Sequence, residues 1–158
     1  MSEAASRSLQ ETYAPHNRCF GCGPANDRGL RLSSFPADGD EVIAHFRPEP
    51  HHLAFEGVLN GGIVGALLDC HSNWTAAWTF LRRRGLHAPP CTVTSEFHVK
   101  LRRPTPVEAE LTLRAHPTEV GDDRAVVEAT LEAGGQVTAT CRGVFVAVKE
   151  GHPAYHRW

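Results

Sequence analysis

A single stretch of this chain repeats with the period of a long helix, and the residues after it alternate with the period of strands. Over residues 61–82 the apolar positions Ile63, Leu67, Cys70, Trp74, Trp78 and Leu81 recur at helical spacing. Asn60 stands where an N-cap belongs. Arg82, Arg83 and Arg84 suit the negative end of the helix dipole, and Gly85 is placed to close the helix. Downstream, residues 91–101, 107–116, 124–132 and 136–148 read as strands. The last two meet at Ala133-Gly134-Gly135, a hairpin signal. Upstream, residues 30–35 and 41–47 read as two short strands around the turn Ala37-Asp38-Gly39-Asp40. Residues 48–60 read as a loop with a short helical turn near His51 to Ala54. One apolar helix must bury its stripe, and the sheet is its natural partner. The expected class is α+β: a curved antiparallel sheet wrapped around one long central helix.

The 158 residues suggest one domain whose core needs no staples, and the 41% hydrophobic share is that of a globular chain. We place a flexible tail at residues 1–15, the domain at 16–150 and a second tail at 151–158. A net charge of −2 gives no reason to expect nucleic acid or a membrane surface as a partner. The polar start lacks the apolar core of a signal peptide, and no apolar run reaches bilayer length, so a cytoplasmic location is expected. Five cysteines without a secretory signal point to reduced thiols rather than a disulfide framework.

The helix has a second face, formed by Gly62, Gly65, Ala66, Asp69, Ser72, Asn73 and Ala76. A solvated face is usually built from Lys, Glu, Gln and Arg; this one has small residues and a lone carboxylate. Small residues let a ligand or another backbone approach. An Asp among them is a candidate base or nucleophile. Gly61 and Gly62 open the helix, where backbone N–H groups lack intrahelical partners and sit at the positive dipole end. Such donors suit an oxyanion; the pair also fits a tight turn.

The segment FEGVLNGGIVGALLDCHSNW resembles the signature of hotdog-fold acyl-CoA thioesterases, most closely the phenylacetic-acid-degradation type of the 4-hydroxybenzoyl-CoA thioesterase superfamily. That pattern runs G-x-x-H-G-G, then an apolar stretch, then an acid. Gly57, Gly61, Gly62 and Asp69 match it. The upstream CFGCGPANDRGLRL resembles a leader common in that family, and LRRPTP resembles its Pro-bearing strand end. The resemblance spans about residues 16–148 and implies a hotdog fold. It implies hydrolysis of an acyl-CoA to a free acid and CoA, without metal or redox cofactor. Gly61 and Asp69 lie roughly 12 Å apart along one helix, so a site that uses both is expected to be shared between two chains of a homodimer, or of a homotetramer built as a dimer of dimers. Carried over, Asp69 is the catalytic carboxylate and Gly61 the oxyanion donor. Thr94, on the polar face of its strand, orients water or thioester. Gly62, Lys100, Arg102 and Arg103 fall where substrate and CoA phosphates bind; the three cations equally fit a basic strand edge. The family His is Asn60 here, which can donate through its amide or simply cap the helix. A non-catalytic acyl-CoA-binding hotdog protein is the alternative, and the Asp/His motif of hotdog dehydratases is not found.

Cys19 and Cys22 form a C-x-x-C pair, which is half a zinc site. With no second pair, a structural loop is expected. Cys70 falls on the apolar stripe and reads as core; His71 either approaches the site or packs. The acyl group is not readable: Trp74, Trp78, Phe55 and Phe97 serve a pocket or a core equally well.

Overall fold

The computed structural model describes residues 6–156 and 158. Six strands form one antiparallel sheet in the order β1-β2-β6-β7-β8-β5. They are β1 (Ser34–Pro36), β2 (Val42–Phe46), β5 (Thr92–Leu101), β6 (Leu111–Val120), β7 (Arg124–Ala133) and β8 (Gln136–Ala147). Helix α2 (Gly61–Arg84) lies across this sheet and touches β2, β5, β6, β7 and β8. This is the antiparallel sheet around one long helix that the periodicities predict, and the hotdog arrangement that the resemblance implies. Leu67, Leu68, Trp74 and Phe80 of α2 pack with Leu111, Leu113, Leu131 and Phe145 in one core.

The helix begins and ends as its sequence requires. Asn60 Oδ1 accepts from Ile63 N at 3.1 Å, and Gly85 closes the helix in the left-handed conformation at φ 60. A side-chain cap of this kind contributes about 1 kcal/mol. Arg82 and Arg83 pair with Asp40 at 2.9 Å, fastening the helix end to the turn between β1 and β2. The hairpin between β7 and β8 turns on Gly134 and Gly135, both at positive φ, with Ala133 opposite Gln136.

Four details depart from the sequence expectation. First, residues 48–60 are more structured than a loop. A 3-10 turn at Pro50–His52 leads into a two-stranded ribbon, β3 (Leu53–Phe55) and β4 (Val58–Leu59), which turns at Gly57 with φ 78. Second, β6 runs through Pro117. Its pairing with β2 ends at Ala115, and its register against β7 shifts between Pro117 and Glu119. The proline therefore removes no needed bond to β2. Third, of the expected strand at 30–35 only Ser34 and Phe35 are extended into β1, while Leu30 and Leu32 are buried anchors of the preceding loop. Fourth, the expected flexible tail includes α1 (Leu9–Tyr13), capped by a Ser8–Glu11 capping box, with Leu9 and Gln10 buried. Residues 1–5 lie outside the described residues.

The two faces expected of α2 become three. His71 is fully buried toward the sheet, where its Nε2–H donates to Val42 O at 2.9 Å. A carbonyl can only accept, so Nδ1 carries no proton and accepts from Ser34 Oγ at 2.9 Å. Ser34 Oγ in turn accepts from Gln10 Nε2, and Gln10 Oε1 accepts from Ser34 N. The expected apolar stripe does not face the sheet as a whole. Cys70 meets the loop around Cys19, and Trp74 stacks on Trp158 at 4.4 Å. The small-residue face looks at β5.

Candidate active site

Strand β5 lies antiparallel to β8 at the end of the sheet, and its helix-facing side runs alongside the small-residue face of α2. Thr92 exchanges hydrogen bonds with Asn73, Thr94 Oγ1 donates to Asp69 Oδ1 at 2.6 Å, and a Cβ added to Gly65 would lie 3.9 Å from Phe97. At the far end, a Cβ at Gly61 would lie 3.2 Å from Leu101. Glycine on this face thus gives β5 room, and Asp69 is the carboxylate set into that seam.

Simple alternation would put Thr94 and Phe97 on opposite faces. They share one because the register shifts between Thr94 and Glu96, leaving Ser95 without a partner on β8. Such a bulge re-aims a side chain. Thr94 therefore does not stand on a solvated polar face; it is turned inward onto the helix.

Asp69 and Thr94 line a small cavity of about 120 Å³ with Asn17, Cys19, Cys22, Cys70, Asn73 and Trp158. Buried Cys141 lies close enough that burial, and then the charge of Asp69, push its thiol up to about 11. Asn73 donates to Thr92 O at 3.3 Å, while its Oδ1 is buried with no hydrogen-bond partner among the described residues. Gly61 belongs elsewhere. It lines a groove of about 380 Å³ with Phe55, Val64, Leu101, Arg102 and Arg103. Lys100 and Arg102 line a wide groove on the open face of the sheet, with Arg114 and Arg142. Among the predicted site residues, then, one chain brings together Asp69 with Thr94, and separately Gly61 with Arg102 and Arg103. Gly61 and Asp69 stand apart by about 12 Å along the helix axis. Asn60 is an exposed cap beside Gly62, whose added Cβ would come within 3.0 Å of Asn60 Oδ1.

Two neighbours of Asp69 escape sequence reasoning. Trp158 sits in an expected tail with no periodicity to place it. Asn73 was visible on the small-residue face, but nothing in the sequence distinguished it from a solvated residue.

The sequence matches the thioesterase superfamily over residues 56–140, which include Gly61, Asp69 and Thr94. The chain belongs to the thioesterase superfamily. A superfamily member from Shewanella loihica PV-4 is 31% identical, with a TM-score of 0.65 over 80% of this chain and 98% of that one. Two more distant structures share the fold of this thioesterase-superfamily chain. The PaaI protein of the E. coli phenylacetic acid degradation operon is 16% identical (TM-score 0.65, covering 76% and 81%). The HP0420 homologue of Helicobacter felis is 13% identical (TM-score 0.70, covering 94% and 93%). No functionally curated protein matches. Among the described residues, no helix is long and apolar enough to cross a membrane.

Proposed function

We propose that this superfamily member hydrolyses acyl-CoA thioesters, with Asp69 as the carboxylate that activates water or attacks the carbonyl. The observation that carries this reading is the 2.6 Å hydrogen bond from Thr94 to Asp69, made possible by a bulge and set beside a cavity. The Thr94 hydroxyl orients the Asp69 carboxylate, which takes a proton from water or attacks the carbonyl. The first-turn amides of Gly61 and Gly62 precede the first intrahelical bond, Val64 N to Asn60 O. They suit the oxyanion formed when the thioester carbonyl is attacked. Collapse of that intermediate breaks the C–S bond and releases CoA; on the direct-attack route it leaves an acyl–Asp69 anhydride, which water then hydrolyses to the free acid.

One chain does not supply both halves of the machinery. A carbonyl held at Gly61 sits within about 3 Å of its N–H, while the Asp69 side chain stands about two helical turns away. We therefore place the site between two chains, in a homodimer that can pair again as a dimer of dimers. The outer edge of β5, unpaired among the described residues, supports this, together with exposed Phe97 and Leu101 on that strand and Phe55 nearby. Arg102 and Arg103, in the groove with Gly61, suit the phosphates of CoA. The alternative, a non-catalytic acyl-CoA-binding protein, is favoured by one feature: Asn60, at the position of the family His, spends its side-chain oxygen on capping α2.

Release of free thiol from a panel of short-chain, long-chain and aryl acyl-CoAs tests the reading. Turnover that disappears in Asp69→Asn supports it. Tight CoA-ester binding with no thiol release by wild type establishes the binding protein instead. In a single-turnover reaction in ¹⁸O-water, label found in the Asp69 carboxylate identifies direct attack followed by hydrolysis of the anhydride at the Asp69 carbonyl.

A further inference from the structure

The C-x-x-C pair is not alone once the chain folds. The sulfurs of Cys19, Cys22 and Cys70 all lie within 4.8 Å of one another. We propose that these three thiols form a binding site for one thiophilic cation, zinc(II), with its fourth position open toward the cavity that Asp69 lines. The expectation of a purely structural pair rested on there being half a ligand set; α2 supplies a third member.

One pair of sulfurs already has the spacing of a coordination shell, and the third lies within 4.8 Å of both. Zinc–sulfur bonds of about 2.3 Å in a tetrahedron set the sulfurs about 3.8 Å apart. Cys19 Sγ and Cys70 Sγ are 3.8 Å apart. Among the described residues no carboxylate or imidazole joins this set, so the donors are all soft thiols, which select zinc or copper(I) over magnesium or calcium. The fourth position falls to water or a small ligand in the cavity shared with Asp69 and Asn73.

The surrounding loop is shaped for this approach. A Cβ on Gly21 would lie 2.4 Å from Cys70 Sγ, so only glycine lets the loop close over that thiol. A Cβ on Gly23 would lie 2.4 Å from Cys19 N, where the turn is tightened by Gly23 N donating to Cys19 O at 2.8 Å. Asn17 Oδ1 accepts from Cys19 N at 2.8 Å and holds the first ligand's backbone. A bound cation would tie the loop to the helix residue next to Asp69. The proposal stands apart from the acyl-CoA reading, since it concerns what holds the cavity wall.

The test is metal content of the full chain, purified under reducing conditions and dialysed against trace zinc, followed by competition with a chromogenic chelator. We expect about one zinc per chain. Cys19→Ser, Cys22→Ser and Cys70→Ser should each abolish stoichiometric binding, while Cys91→Ser and Cys141→Ser retain it. Gly21→Ala keeps every ligand yet should weaken binding roughly tenfold or more, as disturbed support of a ligand does. Should the serine variants fail to fold, cobalt(II) added to wild type gives the deciding readout: thiolate charge-transfer bands with intense tetrahedral visible bands. Reduced wild type that takes up neither zinc nor cobalt overturns the proposal. So does zinc retained at full stoichiometry in Cys70→Ser, or a disulfide joining two of the three sulfurs as the stable form in the purified, unoxidised protein.

Discussion

Asp69 is the residue on which the proposed chemistry turns, and its environment sets what substitutions should do. Asp69→Asn preserves shape while removing a base or nucleophile, so kcat should fall on the order of a hundredfold or more with CoA-ester binding retained. Steady-state kinetics with calorimetric binding checks both halves. Thr94→Val keeps the volume but deletes the hydroxyl that orients the carboxylate. It should lower kcat by about tenfold and leave KM nearly unchanged, because the bond orients Asp69 rather than the substrate. Asp69 was legible in the sequence as a lone acid on a small-residue face. Its partner was legible only by family position: period-two alternation gives Thr94 the wrong face, since a bulge leaves no periodic trace. Cys70 was hidden for a related reason. It fits an apolar stripe, and nothing local to the helix shows a thiol pair arriving from a loop some fifty residues earlier.

At the level of elements, α1, β1, β2 and α2 are joined by the chain of bonds from Gln10 through Ser34 and His71 to Val42. Burial holds the His71 pKa down, from an ordinary 6.5 to about 4. A His whose folded pKa is depressed is unprotonated in the native state at pH values where the unfolded chain already binds a proton. Its contribution is therefore fully present above pH 6.5 and is lost as pH falls from there toward 4, by on the order of 3 kcal/mol. Urea denaturation of wild type between pH 7.5 and 4.5 should show this decline, and His71→Gln should flatten it while being less stable at the upper end. The order of the elements was readable because turn chemistry and periodicity agree at α2 and at the β7–β8 hairpin. Element α1 was not: five residues are too few to show a period, and its Gln10 is buried only because Ser34 answers both ends of the amide.

At the scale of the whole molecule, the separation of Gly61 from Asp69 makes assembly a catalytic question. Two inactive variants, Asp69→Asn and Gly61→Leu, can be mixed after subunit dissociation and reassociation. In a mixed dimer one site carries both defects and the other neither. Random pairing should restore roughly a quarter of wild-type turnover, since half the dimers are mixed and half their sites intact. If mass spectrometry confirms exchange and no activity returns, Gly61 and Asp69 do not meet across chains. The hotdog class was legible as a whole because one long helix among many strands leaves few ways to bury an apolar stripe. The proposed assembly rests on a distance that one helix cannot bridge.

The bulge at Ser95 carries a last consequence, for how such a strand can change over generations. Ser95 is exposed and pairs with no residue of β8, so a survey of point substitutions would score it as unconstrained. Deleting it is another matter. With the spare residue gone, either Thr94 turns away from Asp69 or Phe97, Val99 and Leu101 turn away from α2. The position tolerates most side chains and does not tolerate absence, so its constraint would be written in the gaps of a family's alignment, where the letters show nothing.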